Sequence, residues 1–496
     1  MKKIFRDFIG ALAVFALFVG LEKAPAQNAP ARSETETLAL QMLAVINGGD
    51  PVAARDFVRS NFSEHSQESL TNEIIVLFQK IKLQSGGLDL VKVLPPEMRG
   101  QANLLLRTRK DKYFVRLVVF TRDGKLTDFF PLAATDPKGD ISNDWAGGKV
   151  SHFRIRHEIE RHADFAASRD LFSGVVLVAE GTRILFQKAY GMAEKSFQSP
   201  NRLDTKFNLG SLDKMFTGVA IAQLVSDHKL AFTDTLATVL PDYPNSTVAS
   251  KVTIHQLLTH TSGLGEVLKP EMREKKKKYA ALRDYFPLFV NDALQFEPGS
   301  KWKYSNAGYI VLGVVIEKFS GQSYFDYVRQ HIFLPAGMKD TGCFELDQVV
   351  PSLAVGYARF EDDILGIGAR RNNSVFLGYK GNSAGGGYST APDLLRFARA
   401  LGEHRLLSAE LTEKVTAGKV PAAGDWYGYG FWQWQRFGHS DVRGNSGGGV
   451  NSGIDSELQI FWNGPYTVIV MSNYDAPGGT TLARAISQFL SRQIPR

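Results

Sequence analysis

The apolar positions change period several times along the chain. A continuous apolar run from Phe8 to Leu21 opens it. From Thr35 to Ile46 the apolar residues (Leu38, Leu40, Met42, Leu43, Val45, Ile46) recur at helical spacing. Two further helices are predicted, over Pro51 to Val58 and Leu70 to Ile81. The period then drops toward two. Leu88 to Leu94, Gln101 to Thr108, Tyr113 to Thr121 and Thr127 to Pro131 read as strands, with Asp123-Gly124 as a turn. After a Gly/Asp/Asn/Ser-rich stretch, Asp136 to Lys149, a helix is predicted near Ile155 to Arg169. A hairpin follows, Val175 to Ala179 and Ile184 to Ala189 around Gly181. Strand patterns return only near the end, at Glu457 to Trp462 and Tyr466 to Met471, before an amphipathic helix from Thr481 to Arg492. Strands at both ends of this long segment, with helices between, predict one largely antiparallel sheet assembled from distant pieces.

This pattern divides the chain. Lys2, Lys3 and Arg6, the apolar run and Ala24-Pro25-Ala26 make a cleavable leader over residues 1–26. The run is shorter than the about 20 residues a membrane span needs. The expectation is therefore an exported chain, periplasmic or secreted, with no stable span after cleavage. Residues 27–34 read as a linker, 35–136 as a small α+β domain, 137–150 as a second linker and 151–496 as a large domain. The front domain's order of helices then strands loosely resembles the NTF2-like cone fold, which implies a spacer or binding role.

Composition narrows the chemistry. Hydrophobic residues are 44% and charged residues 22%, which excludes a disordered, collagenous or coiled-coil chain. Cys343 is the single cysteine, so no intrachain disulfide and no cysteine zinc cluster can form. The net charge of +7 is modest for 496 residues and is no nucleic-acid signature. His157 and His162 are i,i+5 on the predicted helix, about 140° apart rather than stacked as metal ligands would be. They are expected to be surface residues.

Three short motifs carry chemistry. Ser211 and Lys214 are i,i+3 at the start of a predicted helix, Met215 to Val225, so they share a face. A serine hydroxyl needs a base to become a nucleophile, and a lysine serves only if its pKa is lowered from about 10.4. Phe296 to Gly299 leads by an apolar-then-turn approach into Lys303-Tyr304-Ser305-Asn306, which suits a loop presenting Tyr304. The third motif, Gly444 to Gly449, lies between a strand-like segment and Glu457 to Trp462. It also fits the G-x-S-x-G elbow around Ser446, but a strand rather than a helix follows and the last histidine is His439, so Ser446 is rejected as nucleophile.

Taken in order, the three motifs resemble the class C β-lactamase/penicillin-binding-protein-like serine hydrolases, the S12-type peptidase and esterase group. Phe172 to Val176, Leu257 to Leu264, Ala384 to Thr390 and Met471 to Tyr474 join the likeness, which covers roughly residues 155–496. The resemblance implies an α+β β-lactamase/transpeptidase-like domain, an antiparallel sheet flanked by helices with an all-helical region. It implies Ser211 as the acylated nucleophile, Lys214 as base or proton relay and Tyr304 as general base. Asn306 would bond Lys214 and the substrate, the backbone N–H groups of Ser211 and Gly448 would form the oxyanion hole, and Gly447 and Asn445 would line the substrate site. His260 and the glycines at 385–387 are expected to be structural, with Thr390 and Asp393 capping a helix. The substrate would be a small molecule, peptide or ester, with no cofactor, metal or nucleic acid.

One position departs from the pattern. The family usually carries Lys, His or Arg where this chain has Asn445, and that cation holds a substrate carboxylate. Arg443 would share a strand face with Asn445 and is expected to replace part of the missing charge. The alternative expectation is a catalytically weakened binding protein for cell-wall or acyl ligands. The run Lys275 to Lys278 reads as a solvated helix face, with attraction of acidic polymer as the sharper alternative.

Overall fold

Ser33 starts the first described helix by local chemistry alone. In the computed structural model, its hydroxyl accepts from the Glu36 N–H while Glu36 reaches back to the Ser33 N–H, a capping box that fixes α1 (Glu34–Gly48). The structure describes residues 33–62, 64–94, 96, 100–134, 145–359, 368–449 and 452–495. The leader, all but the last two residues of the first linker, and 137–144 of the second lie outside these residues.

The chain divides into two compact units, one of Val19–Asp144 with Arg359–Arg370, the other chiefly of Trp145–Ala358 and Arg371–Arg496. In the front unit, α2 (Pro51–Asn61) begins at an Asp50 cap with proline in its first turn, and α3 (Glu64–Ser85) follows. Four antiparallel strands then pair in sequence order: β1 (Leu88–Leu94), β2 (Gln101–Thr108), β3 (Phe114–Arg122) and β4 (Lys125–Ala134). Leu38, Met42, Ile46, Phe57, Phe78, Leu104, Leu106 and Val119 fill the core between helices and sheet. The helix and strand assignments from sequence hold, each within a few residues except α3, which is longer at its N-terminal end.

The back unit is built on an eight-stranded antiparallel sheet. Its strands are β5 (Gly174–Glu180), β6 (Arg183–Tyr190), β7 (Val420–Ala422), β8 (Asp425–Tyr427), β9 (Trp432–Trp434), β10 (Val442–Gly449), β11 (Ile454–Phe461) and β12 (Tyr466–Ser472). Their spatial order is β7-β8-β9-β10-β11-β12-β5-β6. The pairing of β5 with β12, Gly174 opposite Ser472 through Glu180 opposite Tyr466, joins the start of the unit to its end, as the strand pattern predicted. Both faces of β5 are covered, so Val175 to Ala179 is a continuous buried apolar run.

One face carries α4 (His152–Ser168) and α9 (Gly478–Ser491). Their inward stripes are Ile155, Ile159 and Ala163, and Leu482, Ile486 and Phe489. His157 is exposed as expected, but His162 is buried, stacked on Trp145 with ring centroids 3.8 Å apart. The i,i+5 offset that separates the two histidines turns one into solvent and the other inward. Trp145 lies inside the segment expected to be linker and also stacks on Phe489.

A helical region follows the hairpin. At its centre lie α5 (Asp213–Ser226), nearly all of it buried, and α6 (Asn306–Ser320), apolar from Ala307 to Ile316. Two more helices, α7 (Ala391–Gly402) and α8 (Ala409–Thr416), precede the return to the sheet. Thr390 caps α7 by accepting from the Asp393 N–H, while the Asp393 carboxylate accepts from Asp340 N–H and the Thr341 hydroxyl.

Candidate active site

The nucleophile candidate sits where backbone segments crowd. Ser211 lies in a single 3₁₀ turn, Gly210–Leu212, that feeds directly into α5. The glycine-rich motif is itself a strand, β10, as the shared face of Arg443 and Asn445 requires. Glycine permits this because β10 lies against the Ser211 turn. A Cβ on Gly447 would stand 1.9 Å from the Leu209 carbonyl oxygen and 2.7 Å from the Ser211 nitrogen. A Cβ on Gly210 would stand 2.5 Å from the Gly448 nitrogen, so the Ser211 and Gly448 backbones are brought side by side. Gly447→Ala should therefore push β10 off the turn, costing about 1–3 kcal/mol of stability. Urea unfolding checks this, and an unchanged midpoint would contradict the crowding.

Around the Ser211 hydroxyl the three motifs converge. The Tyr304 hydroxyl donates to Ser211 Oγ at 2.7 Å, and Lys214 Nζ donates to the same oxygen at 3.1 Å. Lys214 has no solvent exposure. Its ammonium also donates to Asn306 Oδ1 at 2.8 Å and to the Ala384 carbonyl, and it lies over the faces of Tyr304 and Tyr309. Burial pulls the Lys214 pKa down to about 7, against the opposing pull of Glu266 and Asp213. Burial, with Tyr427 adding to it, pushes the Tyr304 phenol well above its usual range.

The loop before α6 holds Tyr304. Ser305 caps the helix by accepting from the Gly308 N–H and donates its hydroxyl to the Gly265 carbonyl. His260, in a left-handed conformation at φ 60°, accepts the Ser305 N–H on Nδ1 and packs its ring 4.2 Å from that of Tyr304. Burial and the Lys214 charge hold it neutral, well below the ordinary imidazole range. It is the loop-fixing residue expected from sequence.

Sequence reasoning missed two carboxylates at the site. Asp213 is buried and accepts from the Gly387 N–H at 2.5 Å, and burial raises its pKa to about 7. A Cβ on Gly387 would stand 2.7 Å from that carboxylate, which accounts for one of the three consecutive glycines. Glu266 accepts from Asn306 Nδ2 through both oxygens, at 3.1 and 3.0 Å. Its place directly after the His260 to Gly265 stretch, which wraps the Tyr304 loop, is the cue that would have found it.

The two residues of the departure from the family pattern do something else. Asn445 is 2% exposed, and its Nδ2 donates to the Ser211 carbonyl at 3.2 Å and the Gly430 carbonyl at 2.8 Å. It braces the nucleophile turn from behind. Arg443 does share its strand face, but the expectation that it replaces the missing charge fails. Its guanidinium is spent on Glu413 and Asp441, on the Thr416 hydroxyl and on the face of Trp462. Held by two carboxylates, it offers no free charge to a substrate. Lys277 is likewise paired, with Asp347 at 2.7 Å. Among the described residues no group of side chains could hold a metal ion, and no helix is long and apolar enough to cross a membrane.

The family model described as Beta-lactamase matches residues 159–491. Penicillin-binding protein 4* of Bacillus subtilis (strain 168) is 34% identical over 271 residues, 52% of this chain and 59% of that protein. Esterase EstB of Burkholderia gladioli is 35% identical over 187 residues, 35% of this chain and 47% of its own length. The chain thus spans less than two thirds of these relatives. A solved penicillin binding protein from Bacillus halodurans, 32% identical, superimposes with a TM-score of 0.58 over 66% of this chain and 98% of its own. With its antiparallel sheet, its helical region and the Ser211, Lys214 and Tyr304 side chains joined by hydrogen bonds, the chain belongs to the beta-lactamase family.

Proposed function

We propose that the chain is a serine hydrolase that forms an acyl-enzyme on Ser211 and hydrolyses an ester or amide lacking a carboxylate near the scissile bond. The observation that carries this is the convergence of Tyr304 and Lys214 on one serine oxygen. In acylation, Ser211 Oγ bonds to the carbonyl carbon and its proton leaves through Tyr304 to Lys214. The tetrahedral oxyanion is met by the N–H groups of Ser211 and Gly448. The C–O or C–N bond then breaks, and the proton passes from Lys214 to the departing alcohol or amine. Water repeats the sequence in reverse roles, releasing the acid and restoring Ser211.

The lowered Lys214 pKa supports its role as the resident proton acceptor, and the raised Tyr304 pKa supports a relay that stays protonated between steps. The carboxylate restriction follows from Asn445 and Arg443, neither of which presents a free cation. Export, from the leader pattern of residues 1–26, is part of the same proposal.

A panel tests substrate class. Paired phenyl esters, one neutral and one with a carboxylate beside the scissile bond, should differ by about tenfold or more in kcat/KM in favour of the neutral member. A preference for the carboxylate ester, or rapid turnover of penicillins, would overturn the restriction.

A further inference from the structure

The strand that carries the Gly448 N–H outruns the sheet behind it. Up to Gly444, β10 pairs with β9 on one edge and β11 on the other. From Asn445 to Gly449 its strand partner is β11 alone, with Gly447 opposite Ser456 and Gly448 opposite Asp455. The pairing of β11 with β12 stops at Glu457, opposite Val470. Residues 454–456, which back the glycines, therefore lie beyond the end of the next strand.

Two side chains secure this ribbon, one on each face. Ser456 Oγ donates to the Asn208 carbonyl at 3.4 Å. Asp455 reaches the start of α9, where its Oδ2 accepts from the Gly479 N–H at 2.6 Å and the Thr480 N–H at 3.1 Å. The first turn of a helix leaves such N–H groups without partners. At the cap position of α9 stands Pro477, whose side chain makes no cap hydrogen bond. The carboxylate of β11 fills that role from another element, and its charge suits the positive end of the helix.

The junction is close. A Cβ on Gly479 would stand 2.6 Å from the Asp455 carbonyl oxygen and 3.1 Å from Oδ2. Asp455 is 1% exposed, and burial raises its pKa to about 7 although both helix N–H groups favour the anion. Of the charged side chains beside it, Glu457 opposes its charge and Arg484 favours it. A carboxylate buried at this cost is kept for what it holds.

We infer that Asp455 is a positioning residue of the oxyanion hole: by tying β11 to the start of α9, it fixes the place of the Gly448 N–H. This rests on the hydrolase reading above and adds to it a residue that touches no substrate.

The experiment compares wild type, Asp455→Ala and Asp455→Asn on a 4-nitrophenyl ester and on its thionoester, at about pH 8.5 where Asp455 is ionised. Sulfur replaces the carbonyl oxygen in the thionoester, so the ratio of the two kcat/KM values reports on the hole itself. Asp455→Ala should lower kcat on the ester by about tenfold to a hundredfold with KM nearly unchanged, and should lower the ester-to-thionoester ratio by about tenfold. Asp455→Asn keeps the shape and one acceptor oxygen without the charge, and its ratio should lie between the other two. It decides alone if the alanine variant does not fold, and a wild-type ratio in it then overturns the inference. A fall in kcat with the ratio intact would leave Asp455 a merely structural residue and overturn it too. Amide hydrogen exchange gives a readout independent of turnover. In the variants, exchange in the peptide from Gly444 to Gly449 should quicken by about tenfold while the β5 and β12 peptides stay as in wild type. Unchanged exchange in the glycine peptide would overturn the inference. No turnover of either ester by wild type would sink the hydrolase reading, and the exchange result then decides this one.

Discussion

Ser211→Ala should lower turnover of a 4-nitrophenyl ester by about 10⁴-fold or more and abolish labelling by a fluorophosphonate probe. The size follows from the geometry. Tyr304 and Lys214 direct their hydrogen bonds at one oxygen, and Asn445 and the Gly210 crowding hold the turn that carries it. With that oxygen gone the proton relay has nothing to activate, and among the described residues no second hydroxyl accepts from both Tyr304 and Lys214. Ser446, the serine of the G-x-S-x-G match, lies within the strand pairing of β10 and β11, opposite Glu457. Mass spectrometry of the labelled protein should place the adduct on the peptide containing Ser211. Label retained in Ser211→Ala, or an adduct on Ser446, would overturn the assignment.

Lys214→Ala should cost about 10³-fold or more in kcat/KM and remove a limb of the pH profile. A lysine ordinarily titrates near 10.4. Burial brings Lys214 to about 7, so below that pH it is protonated and cannot accept the serine proton. In wild type, kcat/KM should rise with pH through about 7 and then level. Lys214→Arg keeps the charge and stays protonated at every working pH, so it should be as inactive as the alanine variant. The same shift bears on stability. The unfolded chain holds this proton up to about pH 10.4 and the folded chain releases it near 7, so the Lys214 contribution to stability grows as pH rises across that window. A flat pH profile in wild type, or an active Lys214→Arg, would remove Lys214 from the proton path.

Much of this is legible in the sequence. Apolar periodicity found the β5–β6 hairpin, the late strands and α9, because an alternation or a stripe is a local signal. The serine, lysine and tyrosine were legible through their order and spacing, and they do meet. The rest failed for physical reasons. Whether Arg443 is available depends on Glu413 and Asp441, and Glu413 lies 30 residues away on α8. The burial of His162 depends on Trp145, which arrives from a segment with no periodic pattern. Glu266 and Asp213 look like ordinary acidic residues in sequence, and their meaning comes from Asn306 and Gly387, contacts made only in three dimensions. Glycine-rich sequence argues against a strand by propensity, and β10 overrides it through close backbone approach to the Ser211 turn.

The pairing of β5 with β12 also sets an order of assembly. In the front unit each strand pairs with its sequence neighbour, so its sheet can close while the ribosome is still adding residues. The hydrolase unit has no such option. β5 is made early, but its partner on the central side emerges only after roughly three hundred more residues have been added, a loop closure that slows folding. Until then an apolar strand from Val175 to Ala179 stands with an open edge. Nascent chains halted before β12 should therefore be captured by holdase chaperones, and the Ser211 turn, which leans on β10, cannot be armed until synthesis is nearly complete.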